Sequence, residues 1–302
     1  MRILVTGAAG YIGSALARFL AARNLELVAT DQSAPAPVIG NIAYPQFARS
    51  LVTAEVGAVF HLASLVSGGA EQNFELGAKV NLDATRDLLE ACRLAGHRPK
   101  FIFASSIAVY GGVDIVTDDT PPNPGLSYGA QKLICEILIG DYTRRGYIDG
   151  RALRLPAVMV RPGGANTAVS SWASAIIREP LAGRDYVCPV RPDTRMACIS
   201  LGRVVESFFH AFNLRNEDLG SSRTVLLNGI PVSAQQMRHA AGGAGKVTFD
   251  PDPALQKIMD AIPKETRSQR AAALGFPSSK DIQEIVDEYK KDHSDPALAR
   301  HG

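Results

Sequence analysis

Between Gly125 and Glu136 the chain reads GLSYGAQKLICE, a helical pattern in which Tyr128 and Lys132 stand four residues apart. That spacing puts a phenol and an ammonium on one helix face, a single turn from each other. A phenol with a pKa near 10 is a poor base at neutral pH, and each unit by which it falls corresponds to about 1.4 kcal/mol. A neighbouring cation stabilises the phenolate, so the pair suits removal of a proton from a substrate hydroxyl. The bare pattern also occurs on solvated helix surfaces, and position along the chain has to decide between the two. The same helix carries Leu133, Ile137 and Leu138, which are expected to form its buried face.

A second group of residues points to a cofactor. VTGAAGYIG follows a strand-like run and opens a helical one, with Gly7, Gly10 and Gly13 spaced G-x-x-G-x-x-G. Glycines there permit a tight turn, let a pyrophosphate approach bare backbone, and bring the helix close to the sheet, while the helix N-terminus receives the phosphate charge. A turn that merely uses glycine is the plainer alternative. Asp31 closes the next strand-like run, at the distance from the glycines where a carboxylate accepts from the adenosine ribose hydroxyls. A 2′-phosphate beside it would meet like charge, at a cost on the order of a few kcal/mol for an effective dielectric near 20. Neither Gln32 nor Ser33 offsets that charge, so NAD is expected over NADP.

These groups need a scaffold, and the first half of the chain supplies an alternation of strand and helix periods. RILVT, ELVATD, VGAVFHLA, KFIFASS and RALRLPAVMV read as strands. YIGSALARFLAAR places Ile12, Leu16, Phe19 and Leu20 on one helical face, and a long helix is expected within Glu71 to Ala95. Strands interleaved with helices predict an α/β fold, a Rossmann-type doubly wound parallel sheet. The pattern loosens near Arg161 into Pro/Gly-rich stretches, but Trp172, Ile176 and Ile177 still require burial. The expected division is therefore a cofactor-binding domain over residues 1–160 and a smaller, mainly substrate-binding C-terminal lobe over 161–302, with some later segments returning to the first.

The 302 residues are 46% apolar and 21% charged, and 32 basic against 30 acidic side chains leave a formal charge of +2. Such a balance favours neither nucleic acid nor an anionic membrane as partner and leaves small molecules as the default. Cys92, Cys135, Cys188 and Cys198 contain no C-x-x-C pair, and they and the six histidines form no metal-ligand spacing. No metal is expected, and the thiols read as reduced. MRILVTG already reads as a core strand and no apolar run is long enough to span a bilayer, so the expected location is the cytoplasm.

Taken together, G-x-x-G-x-x-G with Tyr-x-x-x-Lys resembles the short-chain dehydrogenase/reductase superfamily, in its extended branch. VFHLAS is similar to that branch's fourth strand, KVNLDATRDLLEA to the helix after it, and FIFASSIAVYGG to the fifth-strand motif. The resemblance implies that NAD lies against Gly7, Gly10, Tyr11, Ile12, Gly13, Asp31, Leu62, Ala63, Asn81, Tyr128, Lys132 and Pro156. It also implies Asn41 and Ile42 at the adenine, with Asn41 standing where the branch commonly has aspartate. Ser106 is implied as the residue that orients the substrate hydroxyl, with Ser105 its neighbour; Tyr128 is the base, and Lys132 also holds the nicotinamide ribose. The helices bearing Asn81 and Tyr128 often form a dimer interface in this branch, so a homodimer is expected.

Eight arginines and no lysine fall between Arg151 and Arg203, against Glu179, Asp185 and Asp193. In a substrate lobe that excess favours an anion, because guanidinium matches carboxylate or phosphate as a two-pronged donor. Sugar nucleotides and small hydroxy acids both satisfy it. The wording from Arg151 to Arg195 resembles the substrate segment of the branch's four-carbon sugar-acid dehydrogenases, which implies NAD-dependent oxidation of a C2 hydroxyl to a 2-keto acid. By position Asn166, Ser171, Arg178 and Arg195 are implied to reach the substrate, and Gly164 stands where those enzymes carry lysine. A sugar-nucleotide epimerase or dehydratase, which returns the hydride, is the alternative, and a cofactor-sensing protein without catalysis is a third.

Overall fold

The computed structural model describes residues 1–164 and 168–293; Asn166 lies outside the described residues. The chain begins with β1 (Arg2–Thr6), α1 (Tyr11–Ala21), β2 (Leu27–Asp31), β3 (Val38–Ile39), α2 (Pro45–Leu51) and β4 (Val56–His61). Two short helices, α3 (Ser67–Gln72) and α4 (Phe74–Gly77), precede a π-helical turn (Ala78–Asp83), α5 (Ala84–Ala95) and β5 (Lys100–Ser106). The single long helix expected over Glu71–Ala95 is thus broken at Asn73, whose side chain caps α4 by accepting from the Leu76 N–H. β6 (Ile115–Thr117), α6 (Ser127–Arg144), β7 (Asp149–Leu155), β8 (Ala157–Met159), α7 (Ser171–Leu181), β9 (Tyr186–Cys188) and β10 (Arg195–Ser200) follow.

RALRLPAVMV, expected as one strand, is two, because Pro156 has no N–H to continue the ladder. β7 stays in the first sheet, whereas β8 joins another. The later elements are α8 (Leu201–Asn213), α9 (Asn216–Leu219), β11 (Thr224–Leu226), β12 (Ile230–Ser233), α10 (Ala234–Ala241), β13 (Val247–Phe249), α11 (Pro253–Ala261), β14 (Glu265–Arg267), α12 (Gln269–Ala273) and α13 (Ile282–His293).

The first sheet has seven strands in the order β11-β7-β5-β4-β1-β2-β3, every pair parallel. It is the Rossmann-type doubly wound fold. Alternation along each strand feeds both faces. Ile3, Val5, Phe60 and Ile102 pack with Leu16 and Leu20 of α1 and Phe208 of α8, while Leu4, Val59, Phe101 and Phe103 pack with Leu88, Leu89 and Ile139 on the opposite side. Strand order reverses at β1, where β4 lies to one side and β2 to the other, so a crevice opens at the strands' C-terminal ends. β8, β10 and β12 form a second sheet, in the order β12-β10-β8. Trp172, Ile176 and Ile177 are buried against it in their own core with Met196, Val232 and Met237.

Helix α6 reverses one expectation. Its buried residues are Gln131, Lys132, Cys135, Glu136, Ile139 and Thr143, whereas Ile137 is 65% exposed and Leu133 and Leu138 are only half-buried. The face turned to the sheet mixes polar groups with Cys135 and Ile139, which join the apolar core. Its buried polar groups are held by partners on the sheet: Lys132 Nζ by the Ala104 carbonyl and Glu136 by Arg154.

Candidate active site

A cavity of about 400 Å³ opens at the crevice. It is lined by Gly7, Gly10, Tyr11, Ile12 and Gly13 on one side and by Ser105, Ser106, Tyr128, Lys132 and Pro156 on the other, with Leu62 and Ser171 also contributing. Sequence separations above a hundred residues are closed here because β1, β5 and β7 end on one edge of the sheet.

Each glycine of the turn has its own spatial reason. Gly7 has φ +72°, and a Cβ there would sit 2.6 Å from the Ala63 N. A Cβ on Gly13 would sit 2.0 Å from the Gly7 carbonyl oxygen, so α1 packs directly on the turn. α1 starts on Gly10 with no side-chain cap and no acid in its first turn, which leaves its first N–H groups free for an anion. Asp31 is tied to the same turn: its Oδ2 accepts from the Ala9 N–H at 3.0 Å and its Oδ1 from Ser33. This arrangement fits a dinucleotide, with glycines where bulk is excluded, helix N–H groups at the pyrophosphate position, and a carboxylate at the end of β2.

The catalytic side is positioned by α6 and β5. Lys132 is 1% exposed, yet it lines the cavity; its ammonium donates to the Ala104 carbonyl at 2.8 Å and stands 5.5 Å from the centre of the Tyr128 ring. Burial brings its pKa down to about 8. The Tyr128 phenol is pushed up by burial, and the opposing influences are hydrogen bonding from the Ser64 and Ser106 hydroxyls and the charge of Arg161. Beside the cation expected at Lys132, the phenol thus meets two serine hydroxyls and the charge of Arg161, which the spacing alone did not indicate. Ser106 Oγ also accepts from the Ala108 N–H at 3.1 Å. Ser105 borders the cavity, but its hydroxyl donates to Glu136, itself ion-paired with Arg154.

Other expected site residues lie elsewhere. Asn81 is buried and its amide is fully used: the oxygen accepts from Ser64 Oγ at 2.9 Å and the Leu65 N–H at 2.8 Å, and the nitrogen donates to the Leu65 carbonyl and Gln131 Oε1. It holds the loop after β4 against α6 and does not line the cavity. The Asn41 oxygen accepts from the Ala43 N–H at 2.9 Å. Asn41, Ile42, Ala63 and Asp31 are likewise outside the cavity lining, which covers only one end of the crevice. Arg178 is ion-paired with Glu179, and Arg195 is exposed on β10; neither lines the cavity. Ser64, Ser67, Arg161 and Met196 do line it. Sequence reasoning passed over them because single serines and arginines carry no spacing signal. Among the described residues no cluster of His, Cys, Asp or Glu is placed to hold a metal ion, and no helix is long and apolar enough to cross a membrane.

Comparison with known proteins agrees with this geometry. Residues 3–195 match the family described as the NAD dependent epimerase/dehydratase family. D-erythronate dehydrogenase of Cupriavidus necator is 42% identical over 97% of this chain and 98% of its own, and that of Haemophilus influenzae is 37% identical over 96% and 98%. Among solved structures, a nucleoside-diphosphate-sugar epimerase from Agrobacterium tumefaciens superimposes with a TM-score of 0.90, at 32% identity, covering 97% of this chain and 94% of its own.

Proposed function

The chain belongs to the NAD-dependent epimerase/dehydratase family, and from that membership we propose that it oxidises the C2 hydroxyl of a short, D-erythronate-like sugar acid to a 2-keto acid. It is an NAD-dependent dehydrogenase of the extended short-chain type. The observation that carries the proposal is a single cavity bordered by both the glycine turn and the Tyr128, Ser106 and Lys132 group. Full-length similarity to two D-erythronate dehydrogenases supports the sugar acid as substrate.

When bound, NAD supplies the acceptor for the hydride leaving C2. The protein's own residues handle the proton and the alignment. Ser106 orients the C2 hydroxyl, Tyr128 as phenolate takes its proton, and the Lys132 ammonium, with donors left beyond Ala104, holds the nicotinamide ribose. Gly7, Gly10, Tyr11, Ile12 and Gly13 receive the pyrophosphate, Asp31 the adenosine ribose, and Ser171 reaches the substrate from the smaller lobe. Reduction of NAD measured at 340 nm with a panel of C3 to C6 sugar acids tests the reading. Steady NADH production with D-erythronate and none with sugar nucleotides is the expected outcome. Turnover of a sugar nucleotide without net NADH would favour the epimerase reading, which the likeness to the Agrobacterium tumefaciens epimerase keeps in view.

The protein is further proposed to be a cytoplasmic homodimer. Ile134 and Ile137 on α6, the helix bearing Tyr128, and Phe74 and Leu76 on α4, which precedes the turn bearing Asn81, are 42%, 65%, 66% and 43% exposed, an apolar surface at the helices that form the interface in the resembling branch. Sedimentation equilibrium is expected to give a dimer, and Ile137→Lys, which places charge on that surface, is expected to give a folded monomer. A wild-type monomer at micromolar concentration would refute it.

A further inference from the structure

Eight arginines lie between residues 151 and 203, but their surroundings differ sharply. Arg151, Arg154, Arg178, Arg184, Arg191 and Arg203 are each ion-paired with an aspartate or glutamate. Arg195 is exposed and outside the cavity lining. Arg161 alone of the eight borders the cavity, and among the described residues it has no carboxylate partner within ion-pair distance.

Its position is nonetheless firmly built. The Arg161 N–H donates to Ser174 Oγ at 3.0 Å, and its carbonyl accepts from Arg178 Nη1 at 2.9 Å. The guanidinium carbon lies 5.5 Å from the centre of the Tyr11 ring. A partly buried guanidinium stays charged, so its desolvation has to be offset by some anion or dipole. The cavity is where that anion would sit.

We propose that Arg161 binds the carboxylate of the substrate and thereby presents the C2 hydroxyl to Tyr128. The proposal rests on the sugar-acid reading of this cavity and adds to it a residue and a reason for regiochemistry. In a 2-hydroxy acid the carboxylate carbon is bonded to the carbon that bears the reacting hydroxyl. An anchor bordering the same small cavity as Tyr128 selects C2, because the hydroxyls on later carbons lie farther from the carboxylate. Its charge also favours the Tyr128 phenolate, so the anchoring residue tunes the base it serves. Arg178 enters as a positioning residue, holding the Arg161 backbone through the bond to its carbonyl.

The test is kinetic, with purified full-length protein, NAD and D-erythronate. Arg161→Gln is expected to raise the KM for D-erythronate roughly 30-fold, the loss typical of a charge-assisted contact, while the Kd for NAD, read from the protein's fluorescence, changes less than about twofold. Arg161→Lys is expected to recover part of the loss, since it keeps the charge but not the two-pronged geometry. For erythritol, a four-carbon polyol without a carboxylate, the KM is expected to be equally high in wild type and Arg161→Gln, so that only D-erythronate shows the KM difference. An unchanged KM for D-erythronate in a variant with wild-type thermal stability would overturn the proposal, as would an equal weakening of NAD, which would assign Arg161 to the cofactor. Failure of the underlying reading looks different: the wild type itself would reduce no NAD with any sugar acid of the panel.

Discussion

Tyr128→Phe is expected to lower kcat by about 1,000-fold, the scale of a positioned general base, while leaving the Kd for NAD within about twofold. The hydroxyl is the only atom removed, and the ring, which borders the cavity beside Lys132, retains its packing. The pH profile adds a second readout. Burial raises the phenol above its ordinary pKa of 10, against the pull of Ser64, Ser106 and Arg161. At neutral pH the free protein therefore holds Tyr128 protonated, and oxidation is expected to accelerate as pH rises from 6 toward 8 and to gain no further above about 8, where Lys132 loses the proton that makes it a cation. Whatever slow turnover Tyr128→Phe retains is expected to lose that rising limb. Retention of a tenth or more of wild-type kcat would remove Tyr128 from the chemistry and return weight to a cofactor-sensing protein without catalysis.

Glu136→Ala is expected to destabilise the fold by about 3–5 kcal/mol, the cost of leaving one partner of a buried ion pair alone. Glu136 lies one helical turn beyond Lys132 and two beyond Tyr128, on the same face of α6. Its carboxylate accepts from Arg154 Nη2 at 2.6 Å and from Ser105, with the two ion-pair side chains only 3% and 14% exposed. Arg154 belongs to β7 and also donates to the Tyr110 hydroxyl. One carboxylate thus joins α6, β5, β7 and the loop after β5 at the floor of the site. Urea unfolding reads the stability directly. Glu136→Gln, which keeps an acceptor for Ser105 but no charge for Arg154, is expected to lose less. A loss below about 1 kcal/mol in Glu136→Ala would mean that apolar packing on α6, through Cys135 and Ile139, holds the helix without this link.

Much of the fold was legible in the linear chain because its signals are local. Unbroken apolar runs in RILVT and KFIFASS report strands covered on both faces, and three glycines at fixed spacing report a turn whose geometry is set within seven residues. Tyr128 and Lys132 were legible for the same reason, since a helix turns a four-residue spacing into proximity. The break at Asn73 and the division at Pro156 were written in single residues that a periodic pattern overrides. The inward face of α6 was misread because apolar character ordinarily marks the buried side, and here Lys132 and Glu136 take that side by virtue of partners on β5 and β7.

By itself, then, the amino-acid order determined the doubly wound scaffold and the preference for NAD, and it singled out Tyr128 as the proposed base, all of which depend on neighbours within a turn or a strand. Only the tertiary structure decided which of eight arginines faces the cavity, and that Ser64 and Ser106 approach the phenol from different strand ends. A guanidinium paired with a glutamate and one left for a ligand are the same letter. What separates them is whether the packed fold brings a carboxylate within reach, and that distance is closed by residues far away along the chain.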